Sequence, residues 1–194
     1  MLDKNNKQVL NKIKPIHHTE HIIEIENFWS AEKCDEFIAH SEGIGYEPAK
    51  IQTETGQKVV ESVRNNQRIL FNDLDLAADI WNDIKKFVNP SLGKTRAIGL
   101  NELFRFYKYE PNQEFKRHRD QSYIRNEFES SYYTLLIYLN DDFVGGETTF
   151  GPLKIIPKKG HCLLFFHDLE HAGTKLRVGN KYILRTDVMY RFEE

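Results

Sequence analysis

The chain has 194 residues, of which 40% are hydrophobic and 12% are aromatic. This length suits a single domain, and this composition is typical of a globular protein, which excludes a disordered chain. The formal net charge of −2 excludes a large basic field, so the sequence predicts neither a nucleic-acid partner nor binding to an anionic membrane surface.

The first segments along the chain predict an arm, a helix and a loop. Residues 1–21 are mostly polar and predict a loosely ordered N-terminal arm. Ser30 is a suitable N-cap for a first helix and Gly43 a suitable end. Such a helix would bury one apolar stripe, formed by Cys34, Phe37 and Ile38. The polar segment 47–66 has no clear period and predicts a loop or hairpin of the kind that often serves as a functional lid.

A second helix is predicted after Asp73, which suits an N-cap position. Its apolar residues recur at helical spacing. They are Leu76, Ala77, Ile80, Trp81, Ile84, Phe87 and Val88. Asn89 precedes Pro90, and the residue before a proline avoids the helical conformation, so the helix should end there.

From Gly99 onward the apolar period changes to two, which predicts strands. The predicted strands are residues 103–109, 133–139, 153–156, 162–166 and 182–190. Turn-forming residues separate them. The sequence therefore predicts a mainly β protein: a double-stranded β-helix, or jelly-roll barrel, with N-terminal helices packed against it. We expect one domain over residues 22–194, with helical support at 22–98 and the jelly-roll core at 99–194.

A possible metal-binding pair lies between the first two of these strands. His118 and Asp120 are two residues apart, so in an extended segment both side chains point to the same face. Two histidines and one carboxylate suit iron(II) and leave coordination positions open for a co-substrate and oxygen. Either His167 or His171, which follow strand 162–166, could be the third ligand, and spacing alone does not separate them. Lys181, ten residues after His171, could hold the far end of a dicarboxylic co-substrate.

Several segments together resemble the prolyl 4-hydroxylase branch of the iron(II)- and 2-oxoglutarate-dependent dioxygenases. The matching residues are Tyr109, Gln113-x-Phe115-x-x-His118-x-Asp120, the segments 134–140, 145–150 and 157–160, His171, and the segment 178–181. They extend from about residue 103 to 190, nearly half of the chain, and their order and spacing agree with the family pattern. The combined match is highly specific.

The resemblance implies that His118, Asp120 and His171 ligate iron(II), because only His171 has the lysine at the family's offset. It also implies that Lys181 pairs with the distal carboxylate of 2-oxoglutarate. Tyr109 would hydrogen-bond that co-substrate and Thr134 would line its pocket. Molecular oxygen would be the second co-substrate, with ascorbate as an additional candidate cofactor.

Two further expectations concern the pocket. Arg185 lies on the same predicted strand face as Lys181 but about 13 Å away, so both cannot hold one carboxylate. Lys181 is favoured, with Arg185 as a rival or a substrate contact. We expect the apolar wall near the oxygen site to come from two strands, through Phe104, Phe106, Leu135 and Ile137.

The substrate is less well specified by the sequence. A prolyl residue in a peptide or protein is the first expectation, and a free amino acid or other small molecule is the alternative. A non-catalytic metal-binding sensor or interaction module is the alternative from a different class. Segments 47–66 and 121–131 should border the mouth, where three polar side chains could grip a peptide: Arg64, Asn66 and Arg68.

Cellular location is inferred from segments that are missing. The N-terminal residues contain no apolar run of signal-peptide length, and no segment has the roughly 20 apolar residues of a membrane helix. Cys34 and Cys162 are too few for a disulfide framework, which favours a reducing compartment. We therefore expect a cytoplasmic protein with no membrane partner, while the sequence gives no basis for an oligomeric state.

Overall fold

The structure is a computed structural model, and it describes residues 13–49, 51–53, 56–58 and 65–193. These described residues include two helices, α1 (Ala31–Ile44) and α2 (Leu74–Ile84). The strands are β1 (Lys14–Thr19), β2 (Ile22–Glu26), β3 (Glu47–Pro48), β4 (Ile51–Thr53), β5 (Gly56–Lys58), β6 (Gln67–Asn72), β7 (Ser91–Leu92), β8 (Thr95–Leu100), β9 (Leu103–Tyr109), β10 (Phe115–His118), β11 (Glu129–Tyr138), β12 (Val144–Gly145), β13 (Thr148–Phe150), β14 (Leu153–Ile155), β15 (Cys162–Phe166), β16 (His171–Gly173), β17 (Leu176–Val178) and β18 (Lys181–Phe192). The prediction of a mainly β protein with helices is confirmed.

The strands form one large sheet and one small sheet, and the pairs within them are antiparallel. The large sheet has the order β1-β2-β15-β11-β18-β9-β6-β3, and β8 also pairs with β18 and carries β7. The small sheet has the order β10-β16-β13-β14, and two short pairs, β12-β17 and β4-β5, stand apart from both. Within the described residues no sheet closes on itself, since the large sheet ends at β1 and β3.

The two faces of the large sheet pack against different parts of the chain. One face meets the helices in an apolar cluster that includes Phe104, Leu135 and Ile80 of α2. The other face meets the small sheet in a second cluster, which includes Tyr107, Leu136 and Phe150. Strand side chains alternate between faces, so neighbours in sequence enter different clusters. The second cluster borders the cavity described below.

Both helices begin where the sequence predicts. The Ser30 hydroxyl accepts a hydrogen bond from the Lys33 amide at 3.2 Å, and the Asp73 carboxylate accepts one from the Leu76 amide at 2.9 Å. Helix α1 ends at Ile44, one residue beyond the predicted Gly43. Helix α2 ends at Ile84, earlier than predicted, because the chain turns after Lys85 and the Phe87 amide donates to the Ile84 carbonyl.

The expectations for the N-terminal half need two corrections. Residues 1–12 of the predicted arm lie outside the described residues, but β1 is an ordered strand paired with β2 and is not loosely ordered. His18 on β1 contacts Glu24 on β2 at 3.0 Å, which ties the two strands together. The predicted helical support at 22–98 also supplies strands β2 to β7 and part of β8. Strands β2 and β6 pair directly with β15 and β9, and so extend the large sheet that the C-terminal half forms.

The five predicted strands all exist. The bounds of β9 and β15 are as predicted, whereas β11 and β18 begin earlier or end later than the sequence indicates. The sequence did not predict β10, β13 and β16, which have only three or four residues each. None of the described helices has the length and apolar character that a bilayer crossing requires.

Candidate active site

A cavity lies between the large and the small sheet and encloses about 410 Å³ of space, part of it open to solvent. Alternate residues of β9, β11, β15 and β18 form its wall on the large sheet: Tyr107, Tyr109, Leu136, Phe165, Lys181, Ile183 and Arg185. The opposite side comes from the small sheet and the residues next to it: Phe115, His118, Asp120, Thr148, His171 and Gly173. The lining therefore combines apolar and aromatic side chains with six charged or polar ones that converge on the cavity.

His118, Asp120 and His171 meet on the small-sheet side of this cavity. Strands β10 and β16 pair so that His118 lies directly opposite His171, and Asp120 follows two residues after His118. The Nε2 atoms of His118 and His171 lie 3.7 Å from Oδ1 and Oδ2 of Asp120, respectively. One potential ligand atom from each residue lies within 4.8 Å of the others. The three side chains are close enough to hold a single metal ion.

The ring tautomers of both histidines are fixed by backbone carbonyls. Nδ1 of His118 is 2.7 Å from the Lys116 carbonyl, and Nδ1 of His171 is 2.9 Å from the Leu169 carbonyl. A carbonyl oxygen only accepts, so each Nδ1 must carry the proton and donate it. Each Nε2 then keeps its lone pair for a metal, the arrangement found around many metal-binding histidines.

Aromatic rings surround the two imidazoles. The Phe115 ring stacks on His118 with centroids 3.4 Å apart, and Phe165 meets His171 edge to face at 4.6 Å. Burial lowers the pKa of His171 to about 4, although the negative charge of Asp120 opposes the shift. His171 is thus neutral at neutral pH, as a metal ligand must be.

Asp120 is ionised although its side chain is only 5% exposed. Burial would raise its pKa, but the nearby Arg185 guanidinium, together with His118, His171 and Thr134, holds the pKa well below its usual range. Arg185 lies 3.0 Å from Oδ1, and the Thr134 hydroxyl donates to Oδ2 at 2.5 Å. The Asp120 amide donates to the His167 carbonyl at 3.1 Å. Asp120 therefore offers a charged carboxylate held by side-chain and backbone contacts.

His167, the rival third ligand, points elsewhere. Its Nε2 atom lies 3.6 Å from Oδ1 of Asp187, and the side chain is buried behind the centre. Among the described residues, the group with metal-ligating geometry contains His171 and not His167.

Lys181 occupies the far end of the cavity. It pairs in register with Tyr109 across β18 and β9, and it is only 3% exposed. Its ammonium group donates to the Gly146 carbonyl and lies 5.5 Å from the ring centroids of both Tyr109 and Tyr138. Burial lowers the pKa of Lys181 to about 7, with partial opposition from Glu147. In the part of the chain that the structure describes, Lys181 forms no ion pair with a carboxylate.

Arg185 lines the same cavity but has different partners. Its guanidinium contacts Asp120 at 3.0 Å, Thr134 at 3.3 Å and Asp187 at 3.2 Å. Burial alone would lower its pKa, but Asp120 and Asp187 raise it above its ordinary value, so the group stays charged. Arg185 therefore sits beside the histidine–aspartate group, and Lys181 sits away from it.

The role of Thr134 beside the co-substrate stays a prediction: its hydroxyl contacts Asp120, and it is not among the residues that line the cavity. One expectation about the pocket lining needs correction. The four residues expected near the oxygen site face the helices in the first apolar cluster: Phe104, Phe106, Leu135 and Ile137. Their neighbours Tyr107 and Leu136 face the cavity. A shift of one position in a strand exchanges its two faces, and that shift accounts for the error.

Sequence reasoning also missed the polar contact beside Lys181. The Tyr138 hydroxyl lies 2.8 Å from the Thr148 hydroxyl, and both residues are buried. A signal for Tyr138 was available, because Thr134, Leu136 and Tyr138 alternate along β11 and therefore share a face. Thr148 belongs to a strand too short for its period to be read.

The predicted mouth segments are only partly described. Arg64 lies outside the described residues, Asn66 is buried, and Arg68 lines a separate surface depression with Ile44 and Leu70. Residues 121–131 form a hairpin in which Ile124 bridges to Ser130. Arg125 ties this hairpin together through an ion pair with Glu129 at 3.1 Å and another with Glu102.

Residues 104–186, which include the whole histidine–aspartate group and Lys181, match the family model described as the 2OG-Fe(II) oxygenase superfamily. The chain is 27% identical over 180 residues to prolyl 4-hydroxylase 1 of Arabidopsis thaliana. That match covers 81% of this chain but only 62% of the relative's length.

Solved structures share the fold. The viral collagen prolyl hydroxylase from Paramecium Bursaria Chlorella virus-1, in its 2OG complex, aligns with a TM-score of 0.63 at 23% identity, over 88% of this chain and 96% of that one. A prolyl hydroxylase from Trichoplax adhaerens, in complex with a hypoxia inducible factor oxygen degradation domain peptide fragment, aligns with a TM-score of 0.67 at 17% identity, over 90% of this chain and 84% of that one. At these identities the likeness shows the fold alone. The segment that holds the site, residues 104–186, is thus similar to the 2OG-Fe(II) oxygenase superfamily, and the chain as a whole shares the fold of solved prolyl hydroxylases.

Proposed function

We propose that this protein is an iron(II)- and 2-oxoglutarate-dependent dioxygenase that hydroxylates an unactivated C–H bond. The observation that carries the proposal is the convergence of two Nε2 atoms and one ionised carboxylate at one end of a cavity with a buried lysine at the other. We further propose that residues 22–194, together with β1, form one domain in which the two facing sheets are the halves of a jelly roll.

The donor set suits iron(II). His118 and His171 offer imidazole Nε2 atoms, and Asp120 offers a carboxylate oxygen, all reaching one point from the small-sheet side. Two histidines and one carboxylate on one face are the ligand set of the non-haem iron oxygenases. When bound, iron(II) with 2-oxoglutarate and O₂ would supply the oxidation of the substrate C–H bond to C–OH, with succinate and CO₂ as the other products.

The lysine end of the cavity suits the distal carboxylate of 2-oxoglutarate. The Lys181 ammonium has three donors, one of which goes to the Gly146 carbonyl, so donors remain for an incoming anion. Tyr109 lies in register beside it, and the Tyr138–Thr148 hydroxyl pair lies near the same end. Arg185 is favoured less for this role, because its donors already meet two carboxylates and a hydroxyl.

The apolar part of the wall would exclude water from the reacting groups. Leu136, Phe165 and Ile183 come from three neighbouring strands of the large sheet and line the space between the two ends. Excluding water strengthens the electrostatic contacts of a charged co-substrate and limits side reactions. These residues would thus hold the diacid in a dry channel.

A prolyl residue in a peptide is the proposed substrate class. The support is indirect: it comes from the similarity to a prolyl 4-hydroxylase and from the fold shared with a prolyl hydroxylase that was solved with a peptide. Fold alone does not fix substrate. Proline-containing peptides are therefore to be tested beside free amino acids.

The test is succinate formation from 2-oxoglutarate by the iron-loaded protein, together with a mass increase of about 16 Da in a peptide or amino-acid substrate. Asp120→Asn keeps the size of the side chain but removes the anionic ligand. We expect turnover to fall by at least about 100-fold, because removing even an outer partner of a metal ligand costs up to about that much. The matched control is Asp79→Asn, the same change at an exposed position of α2. Wild-type turnover in the Asp120→Asn protein would contradict the proposal. No succinate from the wild-type protein with any substrate would favour a metal-binding module without turnover.

A further inference from the structure

A row of four charges, one of them buried and three largely shielded from solvent, runs away from the proposed metal centre. Asp120 meets Arg185 at 3.0 Å, Arg185 meets Asp187 at 3.2 Å, and Asp187 meets Arg105 at 2.9 Å. The signs alternate along the row, so each guanidinium is next to a carboxylate. Buried charges persist in proteins when they are paired in this way.

The strands fix the order of this row. Arg185 and Arg105 are register partners across β18 and β9, and Asp187 is the register partner of Thr134 on β11. Arg185 and Asp187 alternate on the cavity-facing side of β18. Three members of the row therefore lie on two adjacent strands of the large sheet, β18 and β9, and Asp120 reaches them from the end of β10.

Asp187 is deeply buried, and the side chains of three neighbours contact its carboxylate. Its side chain is 1% exposed, and its two oxygens contact Arg185 and Arg105, with His167 at 3.6 Å. The His167 carbonyl in turn accepts the Asp120 amide. Two separate connections thus link Asp187 to Asp120, one through the Arg185 guanidinium and one through the backbone of His167.

Arg185 competes with a metal ion for Asp120, and Asp187 weakens that competition. A guanidinium 3.0 Å from Asp120 competes with a metal ion for the same carboxylate. Asp187 contacts the Nη2 atom of Arg185, while Nη1 contacts Asp120, so the positive charge is shared between two anions. Asp120 then keeps a larger part of its charge for a metal, in a fixed orientation.

We propose that Asp187 is a positioning residue for Asp120: it holds and partly neutralises Arg185, and so sets the affinity of the carboxylate for a divalent metal. The inference deepens the proposed function and rests on its metal centre. It concerns only metal binding and needs no co-substrate or turnover. Outer partners of metal ligands alter metal affinity by about 10- to 100-fold when they are removed.

The test is Co²⁺ binding to the metal-free protein, measured by calorimetry and by the visible absorption of bound Co²⁺. We expect Asp187→Asn to bind Co²⁺ about 10- to 100-fold more weakly than the wild type, because Arg185 then pairs with Asp120 alone. In an Arg185→Gln background the same substitution should have little further effect, since the residue acts through Arg185. Asp79→Asn is the matched control.

Two outcomes with Asp187→Asn would overturn the proposal: wild-type Co²⁺ affinity in this protein, or an equal loss of affinity with and without Arg185. Arg105→Met is a second variant, which removes one of the two guanidinium partners of Asp187, leaves more of its charge to Arg185 and should bind Co²⁺ at least as tightly as the wild type. A loss of affinity in Arg105→Met would indicate a general packing effect and refute the role of Asp187, even if Asp187→Asn does not fold. A wild-type protein that takes up no Co²⁺ would instead refute the metal centre itself.

Discussion

At the scale of single residues, Lys181 shows how position changes the chemistry of a side chain. On a protein surface a lysine is charged throughout the physiological range, but burial lowers the pKa of Lys181 from its ordinary 10.5 to about 7. Its nearest oxygen partner is a neutral carbonyl. The ammonium charge that a diacid needs is therefore only partly present at neutral pH before the diacid arrives.

This pKa predicts a pH dependence of co-substrate binding. Above about pH 7 the buried lysine of the ligand-free protein is mostly neutral, so binding of the dianion must take up a proton. The apparent dissociation constant of 2-oxoglutarate should then rise with pH, by up to about tenfold per unit. Calorimetric titration of the Mn²⁺-loaded protein with 2-oxoglutarate measures this dependence. The titrations should cover roughly pH 6.5 to 9, because a lysine with this pKa changes its charge within that range.

Lys181→Arg is the matched control for this prediction. Arginine stays protonated throughout that range, so the affinity of the variant should change much less with pH. An affinity that is constant from neutral to alkaline pH in the wild type would contradict the role given to Lys181. A dependence of the same steepness in Lys181→Arg would assign the proton to another group.

At the scale of secondary-structure elements, the turn before β15 connects the large sheet to the first helix. The Trp29 amide, just before α1, donates to the Gly160 carbonyl at 2.9 Å, and the Gly160 amide donates to the Tyr138 carbonyl at 2.8 Å. Gly160 has a φ of +78°, and a Cβ atom added there would lie 2.1 Å from the Trp29 carbonyl oxygen. Only glycine fits this contact.

We expect Gly160→Ala to destabilise the protein clearly more than Gly151→Ala. Gly151 also has a positive φ, of +56°, but an added Cβ would meet nothing within 4 Å. Gly151→Ala should therefore cost about 1–2 kcal/mol from backbone strain alone. Gly160→Ala adds a backbone overlap to a similar strain. Urea unfolding followed by circular dichroism compares the two, and equal losses of unfolding free energy would show that the contact with Trp29 is unimportant.

The sequence was informative about elements in proportion to their length. Strands β9 and β15 have five or more apolar or aromatic residues, and their bounds were predicted correctly. Strands β10 and β16 are too short to show a period. They form through tertiary pairing rather than through local preference, so the sequence carries no local signal for them. The His118–His171 register that forms the site is a property of that pairing, so composition and spacing alone left His167 and His171 equivalent.

The strand faces were harder to predict than the strands themselves. In β9 and β11 both alternating sets contain large apolar or aromatic residues, since one set faces the helices and the other faces the cavity. The period therefore gave no preference between Phe106 and Tyr107, or between Leu135 and Leu136. The arm at the N-terminus was misjudged for a related reason: β1 is polar and half exposed, and it is ordered by its pairing with β2.

At the scale of the whole molecule, the proposed metal centre should stabilise the fold, because a metal that binds only the folded protein shifts unfolding by mass action. At 100 times its dissociation constant a ligand adds about 2.7 kcal/mol. For a domain of this size that is a rise in Tm of roughly 5–11 °C, at about 2–4 °C per kcal/mol. Thermal unfolding with and without Co²⁺ measures the shift.

The Asp120→Asn protein provides the comparison. Without metal, this variant should unfold at the wild-type temperature or below it, because Arg185 loses the charge of one of its carboxylate partners. Added Co²⁺ should raise the Tm of the variant very little. Equal stabilisation of wild type and variant would place Co²⁺ somewhere other than the proposed centre.

The pairing of β1 with β2 has a consequence for the behaviour of the chain in solution. Strand β2 is almost wholly buried, with Ile22, Ile23 and Ile25 at 3%, 6% and 0% exposure, whereas Lys14 and His17 of β1 are exposed. Charged and polar outer strands discourage edge-to-edge association. Strand β1 thus covers the edge of β2. A shortened protein that begins at Ile22 would expose the unpaired backbone amides and carbonyls of the isoleucine-rich β2, which favours pairing with other copies of the chain and aggregation.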